Sequence, residues 1–156
     1  MQLPSSLLHS LIGLKGFDEN AFVQVHESGE QITSVRLNPG KIFNKQCSIF
    51  NDQLERVPWA SNGFYLPHRP SFTSDPLFHS GAYYVQEASS MVIDYVLREI
   101  LTSTDIKILD LCAAPGGKST LISSILNGNG LLVSNETISS RTPALIHNLI
   151  KWGYAN

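Results

Sequence analysis

Apolar positions near the start recur at helical spacing. Between Pro4 and Gly13, Leu7, Leu8, Leu11 and Ile12 fall on one face, which predicts a short helix broken by Gly13 and Gly16. Asp18 is a good N-cap for a second helix running to about His26 and ended near Gly29. Ile32, Val35 and Leu37 mark a strand closed by Asn38-Pro39-Gly40. Residues 41–72 lose this regularity. Aromatics at Phe43, Phe50, Trp59, Phe64, Tyr65 and Phe72, with prolines at 58, 67 and 70, fit short strands and loops. The Pro- and Ser-containing stretch 67–76 is the expected domain boundary, dividing the chain into 1–74 and 75–156.

The second half has a different rhythm. From Gln86 to Leu101, apolar residues at Ala88, Met91, Val92, Tyr95, Val96 and Ile100 have helical spacing. Lys107 to Leu111 is a short apolar run with one acid and reads as a buried parallel strand. A Gly-containing turn at 113–117 leads to a helix from Lys118 to Leu126, ended by Asn127-Gly128. Leu131-Leu132-Val133 is a second buried strand, reaching Asn135-Glu136. A last helix spans 139–152, with Pro143 in its first turn and Gly153 past its end. This β-α-β-α order predicts an α/β fold with a parallel sheet, preceded by a small α+β domain.

Composition narrows the classes. In 156 residues, 42% are hydrophobic and 15% charged, which is globular rather than disordered. A net charge of −2 gives no support for nucleic-acid binding in bulk. Locally, however, residues 36–69 hold Arg36, Lys41, Lys45, Arg56 and Arg69 against Asp52 and Glu55, so the middle of the chain reads as basic. Two cysteines, Cys47 and Cys112, do not suggest a disulfide framework. With no signal-peptide pattern and no apolar run of membrane-spanning length, the expectation is a cytoplasmic protein. The scattered histidines give no zinc spacing.

Candidate chemistry concentrates after the first parallel strand, in Asp110-Leu-Cys-Ala-Ala-Pro-Gly-Gly-Lys118-Ser119. Ligands of open α/β sheets bind beyond the carboxyl ends of the strands. Small residues let a ligand approach the backbone, and the next helix points its N–H groups at the same place. Glu136 ends the second strand, 19 residues after Gly117, a spacing at which an acid accepts hydrogen bonds from ribose hydroxyls. Cys112, Ala113, Ala114, Pro115, Gly116, Gly117, Lys118 and Glu136 are therefore the candidate ligand-binding set. A triphosphate loop needs a glycine five residues before the Gly-Lys step, where Cys112 stands, and the dinucleotide pattern is also absent. S-adenosylmethionine, with a ribose and no phosphate, fits better. Asp110 is placed either to hold loop N–H groups or to meet ligand. Lys118, a cation at a helix N-terminus, implies a carboxylate partner, either Asp110 or the methionine carboxylate. Arg141 either pairs with Glu136 or faces solvent. Cys112 is read as a packing residue beside the cofactor.

The segment from Asp110 to Lys118 resembles the adenosylmethionine loop of the NOP/Sun family of RNA 5-methylcytosine methyltransferases. Gly81-Ala-Tyr-Tyr-Val-Gln-Glu-Ala-Ser-Ser-Met91, Asn135-Glu136 with Arg141, and Asn148-Leu-Ile-Lys-Trp-Gly153 resemble further family segments. Val35-Arg-Leu-Asn-Pro39, Val57-Pro-Trp59 and Gly63-Phe-Tyr65 are similar to its bacterial RsmF-like branch, which acts on small-subunit ribosomal RNA. The resemblance implies an N-terminal RNA-methyltransferase-associated domain followed by the first half of a Rossmann-like methyltransferase domain. It implies S-adenosylmethionine as cofactor, ribosomal RNA as partner, no membrane, and a monomer when complete.

The family activates cytosine through a cysteine thiolate that adds to C6, and a second cysteine aids product release. Those cysteines follow a proline and a threonine. Here Cys47 follows Gln46 and Cys112 follows Leu111, so the nucleophile is expected beyond Asn156 and the chain is expected to be an N-terminal part without activity of its own. The alternative is a non-catalytic RNA-binding or ribosome-assembly protein that keeps the fold. Pro-Cys and Thr-Cys steps downstream would decide between them.

Overall fold

The computed structural model describes residues 3–41 and 54–155. Phe43, Lys45, Cys47 and Phe50 lie outside the described residues. The chain forms two compact units, 1–32 and 33–156.

The first unit holds helices α1 (Ser5–Leu11) and α2 (Glu19–Ser28). Asp18 caps α2 by accepting from the N–H of Ala21 at 3.0 Å, and Gly29 ends it in the left-handed conformation, φ 66°. Phe22 packs edge-on against Phe17 at 5.5 Å between ring centroids.

The second unit begins with β1 (Thr33–Leu37), the centre of a three-stranded antiparallel sheet. Its neighbours are β2 (Gly63–Leu66) and β3 (Tyr83–Val85). Ile32 is 75% exposed and stays outside the strand. Val35 packs with Leu66, Phe72 and Tyr83 in one apolar cluster. The polar residues of β1 are buried too, Ser34 and Arg36 included. Arg36 is therefore not part of a basic surface, as its place in the 36–69 segment suggested. Its Nε donates to Gln86 Oε1 at 2.8 Å, and its Nη2 donates to Thr120 Oγ1 at 2.6 Å and to the Gly117 carbonyl at 3.1 Å. Its guanidinium carbon lies 4.4 Å from the ring centroid of Trp152, and Tyr84, its cross-strand partner, contributes a second ring at 5.9 Å.

After helix α3 (Pro76–His79) and β3, the residues expected to start a long helix at Gln86 form a turn and a 3-10 segment at Ser89–Met91. Only Val92–Ile100 is α-helix, α4. Then come β4 (Lys107–Asp110), α5 (Gly117–Leu126), β5 (Leu131–Ser134) and α6 (Thr142–Trp152). β4 and β5 pair in parallel, Lys107 opposite Leu131 and Asp110 opposite Ser134. The β-α-β-α order is as expected, but the strands are not buried on both faces. Leu109, Leu111, Leu131 and Val133 are roughly half exposed or more. Val92, Tyr95, Val96 and Ile100 of α4 are exposed likewise, so the apolar spacing there does not mark a face packed against the described residues. The side of α4 that is buried carries Asp94, which accepts from the Ser61 N–H at 2.6 Å and pairs with Arg98 at 2.9 Å.

A second join ties the ends of the unit. Asn38 Nδ2 donates to the carbonyls of Gly81 and Trp152, at 3.0 and 2.8 Å. Lys41 Nζ donates to the carbonyls of Ser80 and Lys151, at 2.8 and 2.5 Å. Lys41 thus caps the last turn of α6, where free carbonyls and the helix dipole favour a cation. Gly81 has φ 74°, and a Cβ there would run into the Lys151 carbonyl, so a glycine is required. No helix among the described residues is long and apolar enough to cross a membrane.

Arg36→Ala leaves the buried Gln86 Oε1 without its donor and opens a cavity under Trp152. The unpaired acceptor should lower unfolding free energy by about 1–3 kcal/mol, with the cavity adding to it, read from the urea midpoint at constant slope.

Candidate functional site

The loop between β4 and α5 is fixed from three directions. From below, Asp110 Oδ2 accepts from Ser119 Oγ at 2.7 Å, across the first turn of α5. Thr120 Oγ1 donates to the Gly116 carbonyl at 2.8 Å while accepting from Arg36, so the buried cation reaches the loop through a hydroxyl relay. From the β5 side, the Asn135 carbonyl accepts from the Ala113 N–H at 2.9 Å, and Asn135 Nδ2 donates to the Leu111 carbonyl at 3.0 Å. From the α6 side, Asn148 Nδ2 donates to the Pro115 carbonyl at 2.8 Å.

Glu136 belongs to this scaffold. Its Oε2 accepts from the Ala114 N–H at 3.2 Å and its Oε1 from the Ile138 N–H at 2.9 Å. Arg141 lies 3.5 Å from Oε2 and also donates to the Ala114 carbonyl at 2.5 Å, so it pairs with Glu136 rather than facing solvent alone. The Ile138 N–H above all holds the Glu136 carboxyl below its usual range. Burial opposes this, while Arg141 and the N–H groups of Ala114 and Thr137 reinforce it.

These contacts shape a cavity of about 200 Å³ lined by the 84–87 strand end and Ser90 on one wall. Cys112, Ala113, Ala114, Pro115, Gly117 and Lys118 form the other. Six of the eight candidate residues thus meet there. Gly116 and Glu136 do not line it. Gly116 has φ 111° under Leu145 and Asn148, and a Cβ there would meet both side chains at 3.4 Å. Glu136 stands behind Ala114. Ala113 and Ala114 are buried against Leu145, whereas Cys112 is exposed. Asp110 is not the carboxylate that Lys118 implied, since it takes the Ser119 hydroxyl, and Lys118 forms no ion pair among the described residues.

The residues not singled out for this site are Arg36, Tyr84 and Gln86, together with Asn148. Burial pulls the Arg36 guanidinium down to about 9, still protonated at neutral pH. Burial pushes the Tyr84 hydroxyl up, against the influence of Arg36. Among the described residues there is no cluster of three potential metal ligands.

A profile described as the N-terminal domain of 16S rRNA methyltransferase RsmF matches residues 3–88, and one described as 16S rRNA methyltransferase RsmB/F matches residues 96–156. The chain is similar to the ribosomal RNA small subunit methyltransferase F of Aeromonas hydrophila, with 38% identity over 133 residues. That match takes in 79% of this chain and 28% of the relative, so the chain spans little more than a quarter of the curated relative's length. Among solved structures, a methyltransferase homolog protein from Pyrococcus horikoshii superposes with a TM-score of 0.67 and 28% identity, over 99% of this chain and 55% of that one. NSun6 from the same organism, solved with SFG, gives 0.74 at 17% identity, over 98% of this chain and 64% of that one.

Because the Glu136 carboxyl is lowered in the fold, its stabilising effect is present above its unfolded value of about 4.5 and is lost as pH falls through the folded value. Glu136→Gln should therefore be less stable than the parent near neutrality, with the gap closing as the solution is acidified below that range. Urea unfolding at a series of pH values checks this.

Proposed function

The chain belongs to the RsmB/F family of 16S rRNA methyltransferases, and from that premise we propose that its protein methylates C5 of a cytosine in small-subunit ribosomal RNA. The donor is S-adenosylmethionine, bound at residues 112–118 and Glu136. The observation that carries the reading is the cleft between the 84–90 segment and the small-residue loop, at the carboxyl end of β4 and capped by the first turn of α5. A related fold solved with SFG, an adenosylmethionine analogue, supports the cofactor.

In this reading residues 75–156 carry the cofactor site and residues 1–74 form the RNA-associated domain of a cytoplasmic monomer. Cys112 is a small wall residue. Glu136 has two tasks. A carboxylate offers about four acceptor sites. Ile138, Ala114 and Arg141 engage three and the Thr137 N–H also turns to the carboxyl, so a ribose hydroxyl would share an oxygen with one of these donors. The RNA contribution of the 36–69 segment falls to cations other than Arg36, which is buried, and Lys41, whose ammonium is turned to backbone carbonyls.

The bound donor supplies an electrophilic methyl group. Cytosine C5 needs covalent activation to accept it, and neither Cys47 nor Cys112 follows the proline or threonine that precedes the family's cysteines. That observation favours a second statement, that this chain alone binds the cofactor without transferring methyl.

Glu136→Ala should weaken adenosylmethionine binding roughly ten- to a hundredfold, measured by calorimetry. Unchanged affinity removes Glu136 from the site. Residues 1–156 incubated with radiolabelled adenosylmethionine and unmodified small-subunit RNA should leave cytosine C5 unlabelled. Label above background overturns the second statement and turns attention to Cys47 and Cys112.

A further inference from the structure

The cleft contains a buried amide whose orientation is forced. Gln86 is 6% exposed, at the turn between β3 and α4. A guanidinium has donors only, so Gln86 must turn its oxygen to Arg36 and its nitrogen away. Nε2 then lies beside the start of α5, 3.6 Å from where a Cβ on Gly117 would stand. Among the described residues it donates to no protein acceptor. Two N–H donors of a nearly buried side chain thus face a cavity that the protein leaves open. Such donors call for an acceptor from a ligand.

Two charges define that ligand. Among the described residues Lys118 lines the same cavity without an ion-pair partner, and the first turn of α5 leaves backbone N–H groups free. Glu87 lines it too. An amide donor and a cation favour an anion, while a nearby carboxylate disfavours a phosphate and favours an ammonium group. An α-amino acid carries both charges two bonds apart.

We infer that the Gln86 carboxamide donates to the carboxylate at the amino-acid end of the bound nucleoside ligand, with Lys118 as countercharge, and that Arg36 is the positioning residue that holds the amide for it. The inference rests on the cofactor reading above and names the part of the ligand that this wall recognises. The ligand's adenosine moiety is left to the rest of the site.

Gln86→Glu tests it with little change of shape. The variant keeps an oxygen for Arg36, so the buried pairing survives, but replaces the donor with an anion. Calorimetry on the full chain compares adenosylhomocysteine with 5′-methylthioadenosine, which lacks the amino-acid end, and circular dichroism checks the fold. Adenosylhomocysteine should bind roughly ten- to a hundredfold more weakly, and methylthioadenosine as before. Arg36→Lys keeps a cation but loses the fixed fork. It should show the same selective loss in milder form. Equal weakening of both ligands, or of neither, overturns the inference. So does loss of RNA binding with both nucleosides unaffected, which would assign the amide to the RNA. If the parent protein binds neither nucleoside, the cofactor reading fails and this inference with it.

Discussion

One buried cation organises the larger unit. Arg36 leaves the centre of an antiparallel sheet and ends against the first turn of a helix that belongs to a parallel one. A charge removed from water is tolerated where hydrogen-bond partners replace the water it loses. Gln86, Gly117 and Thr120 supply those partners from two separate segments, and Trp152 covers the planar face from a third. A shift of any of these segments costs the guanidinium one of its partners. The demand of one side chain for hydrogen bonds thereby becomes a geometric constraint on the loop that carries the candidate chemistry.

The loop itself was legible from the residue pattern. Small residues after a strand, a helix start and an acid at the next strand end predict a ligand site, and the structure brings six of the eight residues around one cavity. What the pattern did not convey was how the site is held. Ser34 and Arg36 alternate with apolar residues along β1, which reads as a solvated face, yet both are buried. Alternation reports which side chains differ in polarity, not whether a second layer covers the polar side. The apolar spacing that follows Gln86 predicts a helix starting there. The helix begins only at Val92, and the turn before it is what places the amide at the cleft.

Apolar spacing misled in the opposite sense in β4, β5 and α4. Leu109, Leu131, Val133 and Val96 have the periodicity of buried positions, and the described residues leave them exposed. Periodicity reports a face suited to burial. It does not reveal whether the same 156 residues supply the cover. Glu136 shows a related gap. Spacing places an acid at the strand end, but only the coordinates reveal that most of its acceptor capacity goes to backbone N–H groups and Arg141.

The join made by Asn38 and Lys41 bears on the order in which the unit can form. Their partners lie at 80–81 and at 151–152, more than a hundred residues downstream for the second pair. A chain made from its N-terminus therefore exposes the donors after β1 until almost all of α6 has left the ribosome. Contacts of such long range close late and slow the search. During synthesis the first sheet waits, incompletely tied, for α6.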